Sequence, residues 1–322
     1  MDMRETKVRK MAAHNHGREV SGGSLKLALA LTVVILIVET IAGVASHSLA
    51  LLADAGHILT DVVALGLGWF AVVQARRPAD ARRTYGYHRV GILTAMANGM
   101  TLIVIVAVIA VEAVNRLRHP EPVAGTIVVA SALAAIAVNS FIALRLHEGG
   151  EDLNIRAALL HVLGDLGASA GVVVSGLVIL MTGFLAADAI VSIAIALLIA
   201  WGAFRLVRDT VHILLEGTPA TIEIEDVQAA IAGDREVASL HDLHVWSIAP
   251  GQVALSAHVV VDPGLNASDA EHLVRRLEQN VCNRFNIGHT TIQVEACCPC
   301  EGELRHGAGD HNHPHRRVRA KT

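Results

Sequence analysis

The chain has 322 residues, 53% of them hydrophobic and only 17% charged, with a mean hydropathy of +0.49. A soluble domain carries about 25% charged residues, so much of this chain belongs in lipid. A net charge of −4 argues against nucleic-acid binding, and four cysteines, three of them in "ACCPC", are too few and too clustered for a secreted disulfide framework.

The first residues, 1–22, are polar and basic and read as a cytoplasmic tail rather than a cleaved signal peptide. The "HNH" at 14–16 is a weak metal-binding tract. A spanning helix needs about 20 mostly apolar residues. Residues 90–111 and 122–144 meet that without a charge, and 25–46 meets it with Lys26 at the edge and Glu39 inside. Residues 48–75 and 155–181 qualify if their histidines and aspartates are tolerated. A sixth run, about 184–207, holds Asp188 at its start and Arg205 at its end. Six helices with short connectors, residues 23–214, are predicted to form a membrane domain.

Lys and Arg set its orientation. With the N-terminus inside, the inner segments hold Lys7, Arg9, Lys10 and Arg18, then Arg76, Arg77, Arg82, Arg83 and Arg89, then Arg145 and Arg156. The outer loops hold only Arg116 and Arg118. Both termini are therefore expected in the cytoplasm, on a multi-pass protein of the inner (plasma) membrane.

After "LLEGTP" at 214–219 the composition becomes that of a soluble domain, residues 215–300. A helix at 223–232, strands "SLHDLHVWSIA" and "QVALSAHVVVD", a helix in "NASDAEHLVRRLEQNV" and a strand "HTTIQVEA" follow. The second helix carries a capping box, Ser268 with Glu271, and Cys282 on it reads as core. The order αββαβ predicts an α+β domain with helices on one face of a sheet. Residues 301–322, with His306, His311, His313 and His315, read as a disordered tail suited to loose metal binding.

Two short strings carry the chemistry. "LLADAGHILTD" places His57 and Asp61 four apart, and "HVLGDLG" repeats this with His161 and Asp165. Residues i and i+4 share a helix face, and an ionisable group at mid-bilayer costs at least about 2.5–3.5 kcal/mol. One such pair could be a histidine satisfied by its own aspartate. Two pairs at identical spacing point to a site where two imidazoles and two carboxylates hold a tetrahedral Zn²⁺. Cu(I) would want Cys or Met, and Mg²⁺ or Ca²⁺ oxygen alone. Asp54 lies three residues before His57; it either supports that face or lines the way in, or is simply exposed. Glu39 either faces the bundle as a proton relay or hydrogen-bonds a neighbouring helix. No His-Glu-x-x-His and no Gly-x-x-x-x-Gly-Lys-[Ser/Thr] occurs, so neither metalloprotease chemistry nor ATP-driven transport is indicated. The chain reads as a transporter rather than an enzyme.

"SLALLADAGHILTDVVALGL", "YGYHRVGILTAMANG", "HVLGDLGASAGV", "LLEGTP" and "HDLHVWSI" resemble the cation diffusion facilitator family, and within it the zinc exporters of the bacterial cobalt–zinc–cadmium resistance branch. The resemblance spans about residues 20–300. It implies a homodimer in the lipid bilayer, six spans per subunit, a cytoplasmic ferredoxin-like domain and Zn²⁺ export in exchange for protons. By position it makes His57, Asp61, His161 and Asp165 the transport site. It makes Arg89 and Glu216 a basic–acidic pair holding the membrane and cytoplasmic parts together. Some relatives carry a further zinc site in the loop before the third helix, but Asp80 and His88 are out of pattern here.

In the soluble domain, His241 and His244 are three apart, so on a regular strand they face opposite sides; only one can join a given site, and the resemblance favours His241. It also matches His258 and Glu295 to a regulatory zinc site. His289 shares Glu295's face by parity, and Cys297, Cys298 and Cys300 read as metal-binding thiols in a reducing compartment. The mechanism expected is alternating access. Export of Co²⁺, Cd²⁺ or Ni²⁺, and a membrane sensor that binds without transport, remain the alternatives.

Overall fold

The computed structural model describes residues 22–147 and 153–296. Among them are six helices long and apolar enough to cross a membrane, so the chain is a multi-pass membrane protein. They are α1 (Gly22–Ser46), α2 (Leu49–Ala75), α3 (Val90–Arg118), α4 (Gly125–His147), α5 (Leu153–Thr182) and α6 (Ala186–Leu214). Large apolar side chains cover their outward faces: Trp69 is 71% exposed, Val111 72% and Met181 83%. In lipid there is no penalty for that. Half of the buried residues of their shared interior are alanines, Ala42, Ala50, Ala53, Ala132, Ala168, Ala196 and Ala203, set among larger ones such as Leu51, Leu102 and Ile195. The small residues let helices approach without a hydrophobic driving force. Gly176 on α5 shows how closely: a β-carbon there would stand 2.7 Å from the Val129 side chain of α4.

Two helices run further than the sequence suggests. The third extends to Arg118 and the sixth to Leu214, because amphipathic turns continue past the apolar run. Arg116 and Arg118, read from sequence as outer-loop residues, therefore form the last turn of α3.

The soluble part folds as α7 (Ile224–Ala232), β1 (Ser239–Ala249), β2 (Gln252–Val260), α8 (Ala267–Phe285) and β3 (Ile287–Glu295). β1 and β2 form an antiparallel hairpin closed by Pro250–Gly251, with Gly251 at φ 75° supplying the left-handed turn position. β2 and β3 are parallel, and α8 makes the crossover between them. Leu273, Leu277 and Val281 are the buried stripe of α8. They pack with Val227 and Ile231 of α7 over Leu240, Val245, Leu255, Ala257 and Val259 of the sheet. The predicted α+β arrangement with helices on one face is what forms.

Three details differ from the sequence reading. The cap of α8 is Asn266, whose side chain accepts from Asp269 N at 3.0 Å and donates to the Asp269 carboxylate at 2.7 Å; the Asn-x-x-Asp pair starts the helix before Ser268 can. Cys282 is exposed, since it sits one residue, or about 100° of helix, beyond the Val281 stripe. Finally, β1 is bulged between His241 and His244, which pair with His258 and Ser256. The extra residue cancels the odd spacing, so the two histidines share a face rather than opposing one another.

By chain contacts the described residues form two compact units, one of 22–70 with 95–207 and the other of 71–94 with 208–296. The loop joining α2 to α3 thus belongs to the same unit as the sheet domain.

Candidate metal centre

α2 begins after a tight corner in which His47 takes φ 55°. Its first amides are capped from another helix: Asp188 of α6 accepts from Leu49 N at 2.6 Å and from the Ser48 hydroxyl at 2.5 Å. Asp188 is 1% exposed and lies 3.8 Å from the Arg116 guanidinium of α3. Arg116 also bonds the His47 carbonyl and reaches Glu112 at 3.1 Å and Glu121 at 3.5 Å. Helices α2, α3 and α6 are therefore tied at one end by a buried acid and an arginine.

Two turns beyond that anchor, His57 and Asp61 face α5, where His161 and Asp165 meet them. His57 Nε2 is 3.7 Å from Asp61 Oδ2 and 3.6 Å from Asp165 Oδ1. His161 Nε2 is 3.3 Å from Asp61 Oδ2 and 3.8 Å from Asp165 Oδ2. Each helix thus reaches across to the carboxylate of the other. The four donors lie within 4.8 Å of one another, and the rings are at 69° with centroids 5.9 Å apart. Ligand bonds of about 2.0–2.2 Å put tetrahedral donors roughly 3.3–3.6 Å apart. The His–Asp separations of 3.3–3.8 Å come close to that, with Asp165 turning a different oxygen to each histidine. The His161 side chain keeps half its surface exposed, which leaves the cluster open to an arriving ion.

Asp54 is buried, not exposed, and accepts from the Ser169 hydroxyl at 3.1 Å. Glu39 is wholly buried. Neither of its oxygens has a hydrogen-bond partner among the described residues, so the reading of Glu39 as a bond to a neighbouring helix is overturned.

A second group forms on the open face of the sheet. His241 and His258 are cross-strand partners with ring centroids 5.2 Å apart. Glu295 reaches both, at 3.4 Å from His241 Nε2 and 3.0 Å from His258 Nδ1. His241 Nδ1 and Glu295 Oε2 are buried without a hydrogen bond, which is what a donor set suited to a cation looks like. Asp242, at φ 48° in the bulge, joins the two histidines within 4.8 Å. The sequence reading missed it, because strict alternation points the residue after His241 to the other face and nothing in "HDLH" reveals a bulge. His289 is not part of this group. It pairs with Ala254 at the opposite end of β2 from Glu295 and packs against the Tyr85 ring at 6.1 Å. Cys297, Cys298 and Cys300 lie outside the described residues.

Arg89 and Glu216 approach to 3.7 Å, with Arg89 Nε donating to the Ile248 carbonyl at 3.3 Å. In the same loop Asp80 accepts from the Tyr87 hydroxyl and the Arg82 and Arg83 amides, each at 2.8 Å. These bonds, the Tyr87 hydroxyl first, hold its carboxyl below the usual aspartate range. His88 Nδ1 meets the Gln252 amide at 3.3 Å.

Residues 25–215 match the family model described as the cation efflux transmembrane domain. Residues 219–297 match the cation efflux protein cytoplasmic domain. The chain belongs to the cation efflux family. This transporter family includes a zinc transporter ZitB of Escherichia coli, 38% identical over 94% of this chain and 99% of its own length. A cadmium, cobalt and zinc/H⁺-K⁺ antiporter of Bacillus subtilis is 37% identical over 88% and 91%. The metal cation efflux system protein CzcD of Cupriavidus metallidurans is 37% identical over 90% and 92%. A solved metal-bound C-terminal domain of a CzcD transporter aligns with 23% of this chain at 34% identity and a TM-score of 0.22.

Proposed function

We propose that this cation efflux protein is a Zn²⁺/H⁺ antiporter whose transported ion sits on His57, Asp61, His161 and Asp165. The observation that carries the reading is the convergence of two imidazole nitrogens and two carboxylates, 3.3–3.8 Å apart, from two membrane helices. Mixed nitrogen and oxygen donors at tetrahedral spacing favour Zn²⁺ over hard cations, and the printed names of the relatives, zinc among their metals, support the same choice.

Ligating imidazole must be neutral and carboxylate ionised, so metal binding releases protons and protonation expels metal. That reciprocity supplies an exchange mechanism. Zn²⁺ from the cytoplasm displaces protons from the cluster, the helices reorient, and protons from the far side compete for His57 and His161 and release the ion. Imidazole, with an ordinary pKa near 6.5, is the natural competitor. The excess of Arg on the loops around residues 76–89 supports an orientation with both termini in the cytoplasm, with residues 23–214 as the membrane domain and 215–300 as the cytoplasmic one.

On the sheet domain, His241, His258 and Glu295, with Asp242 added, form a regulatory zinc site, and the protein works as a homodimer in which Arg89 and Glu216 tie the loop to the end of α6. Zinc flux into proteoliposomes, driven by a pH gradient and repeated with Co²⁺, Cd²⁺ and Ni²⁺, tests the reading. Metal binding without flux would instead make the protein a membrane sensor.

A further inference from the structure

The α2–α3 loop is the most basic stretch of the described chain, and it lines a cavity of about 1030 Å³. Sites for small organic ligands run to about 300–1,000 Å³, so the space is large for a surface dimple. Arg82, Arg83 and Arg89 line it with His88 and His244, and Glu216 is the sole carboxylate among the lining residues. Glu216 stands against Arg89. Neither Arg82 nor Arg83 forms an ion pair with a carboxylate among the described residues, although Asp80 feels the charge of Arg83.

The loop's own acid offsets Arg83 only in part. Asp80 is outside the cavity wall and is engaged by Tyr87 and two backbone amides. Tyr87 is in turn gripped by Arg83, whose guanidinium lies 4.8 Å from the ring centroid and donates to the hydroxyl at 3.2 Å. The loop is thus held in shape by its own contacts while the arginines line the opening.

The position of the cavity selects its ligand. The loop joins the ends of two helices long and apolar enough to cross a membrane, which brings the loop side of the cavity next to the lipid headgroups. The sheet domain supplies the opposite wall through Leu243, Val245 and Trp246. Tyr85, in the cavity wall, is 60% exposed, and Leu93, one turn into α3 from Arg89, is 55% exposed. An aromatic and an aliphatic beside clustered guanidiniums suit a ligand with an anionic head and apolar chains. Guanidinium is the cation best shaped to hold a phosphodiester, through paired N–H bonds.

We propose that this cavity binds the phosphate of an anionic phospholipid, with Arg82 and Arg83 as its principal contacts. The lipid comes from the cytoplasmic leaflet, a detail that rests on the orientation proposed above; the binding itself requires only that the helices span the membrane.

The test uses the full-length protein, delipidated in a neutral detergent, titrated with dioleoylphosphatidylglycerol or dioleoylphosphatidylcholine and read by native mass spectrometry. Wild type should retain phosphatidylglycerol at least about tenfold more tightly than phosphatidylcholine, since each membrane-surface arginine contributes a factor of about five. Arg82→Gln with Arg83→Gln should abolish the preference, and Arg82→Lys with Arg83→Lys, which keeps the charge without the paired N–H fork, should keep only part of it. Arg76→Gln with Arg77→Gln removes the same charge from outside the cavity wall and should leave the preference intact. Survival of the preference in the first double variant, or an equal loss in the last, overturns the proposal. So does displacement of phosphatidylglycerol by millimolar inorganic phosphate, which would assign the cavity to the free anion. None of these readouts uses zinc flux, so failure here and failure of the transport reading are separable.

Discussion

Replacing Asp188 with alanine removes the cap of the helix that carries His57 and Asp61. The carboxylate makes two short charge-assisted bonds, to Ser48 Oγ at 2.5 Å and Leu49 N at 2.6 Å, each of a class contributing about 1.5–3 kcal/mol. Loss of an N-cap alone costs about 1 kcal/mol. Breaking a buried ion pair costs about 3–5 kcal/mol when the partner is left unpaired. Arg116 is not left so, because Glu112 at 3.1 Å and Glu121 at 3.5 Å remain. The loss should therefore fall at the low end, about 3 kcal/mol, and Asp188→Asn, which keeps one acceptor oxygen, should lose only about 1 kcal/mol. At about 2–4 °C per kcal/mol for a unit of this size, the alanine variant should melt roughly 6–12 °C below wild type in detergent. The assay is retention of the monodisperse peak after graded heating. An alanine variant within about 2 °C of wild type, or an asparagine variant equally damaged, would refute the capping argument.

Zinc at a hundredfold excess over its dissociation constant should stabilise the sheet domain by about 2.7 kcal/mol, seen as a raised melting temperature of a fragment near residues 215–300, and His241→Ala with His258→Ala should remove most of that gain. His57→Asp gives the membrane cluster more oxygen and less nitrogen, so competition uptake should shift from Zn²⁺ towards Cd²⁺ or Mn²⁺; an unchanged metal profile would show that ligand type does not set selectivity. Burial alone would raise the Asp234 carboxyl, but Arg276, donating from its guanidinium at 3.3 Å, and the Glu236 amide outweigh it and hold the group below the ordinary range. A carboxyl depressed in the folded state stabilises fully above its unfolded pKa, near 3.8, and loses that contribution as pH falls through the folded value. Arg276→Gln should thus lower the domain's melting temperature at pH 7 and converge with wild type as pH falls through the lowered Asp234 range; a gap that persists once that carboxyl is protonated would point to packing instead.

The six spans and the membrane cluster are legible in the sequence because each rests on a local rule. Apolar length defines a span, and a four-residue spacing puts His57 with Asp61 and His161 with Asp165 on one face apiece. Which faces meet is long-range, yet two charged faces in lipid have little choice but each other. The rest fails where one residue shifts a period. The bulge at 241–244 reverses the alternation that separated His241 from His244 and hides Asp242, and the cap at Asn266 starts α8 before the Ser268 box. Cys282 looks like core until the stripe is fixed on Val281. The Asp188–Arg116 tie joins three helices through residues distant in sequence, and its only local sign is an acid at the head of an apolar run. Glu39 is readable as unusual, but its burial without a partner is visible only in three dimensions.

The most direct test of the central claim is Zn²⁺ uptake into proteoliposomes with an acidic lumen, comparing wild type with His57→Ala and Asp165→Ala at equal, verified incorporation of folded protein. Zinc should enter as protons leave through wild type, and both variants should fall to the protein-free background, since among the described residues no fifth donor joins the four-donor cluster. Wild-type flux through either variant would contradict the assignment of the transported ion to this site.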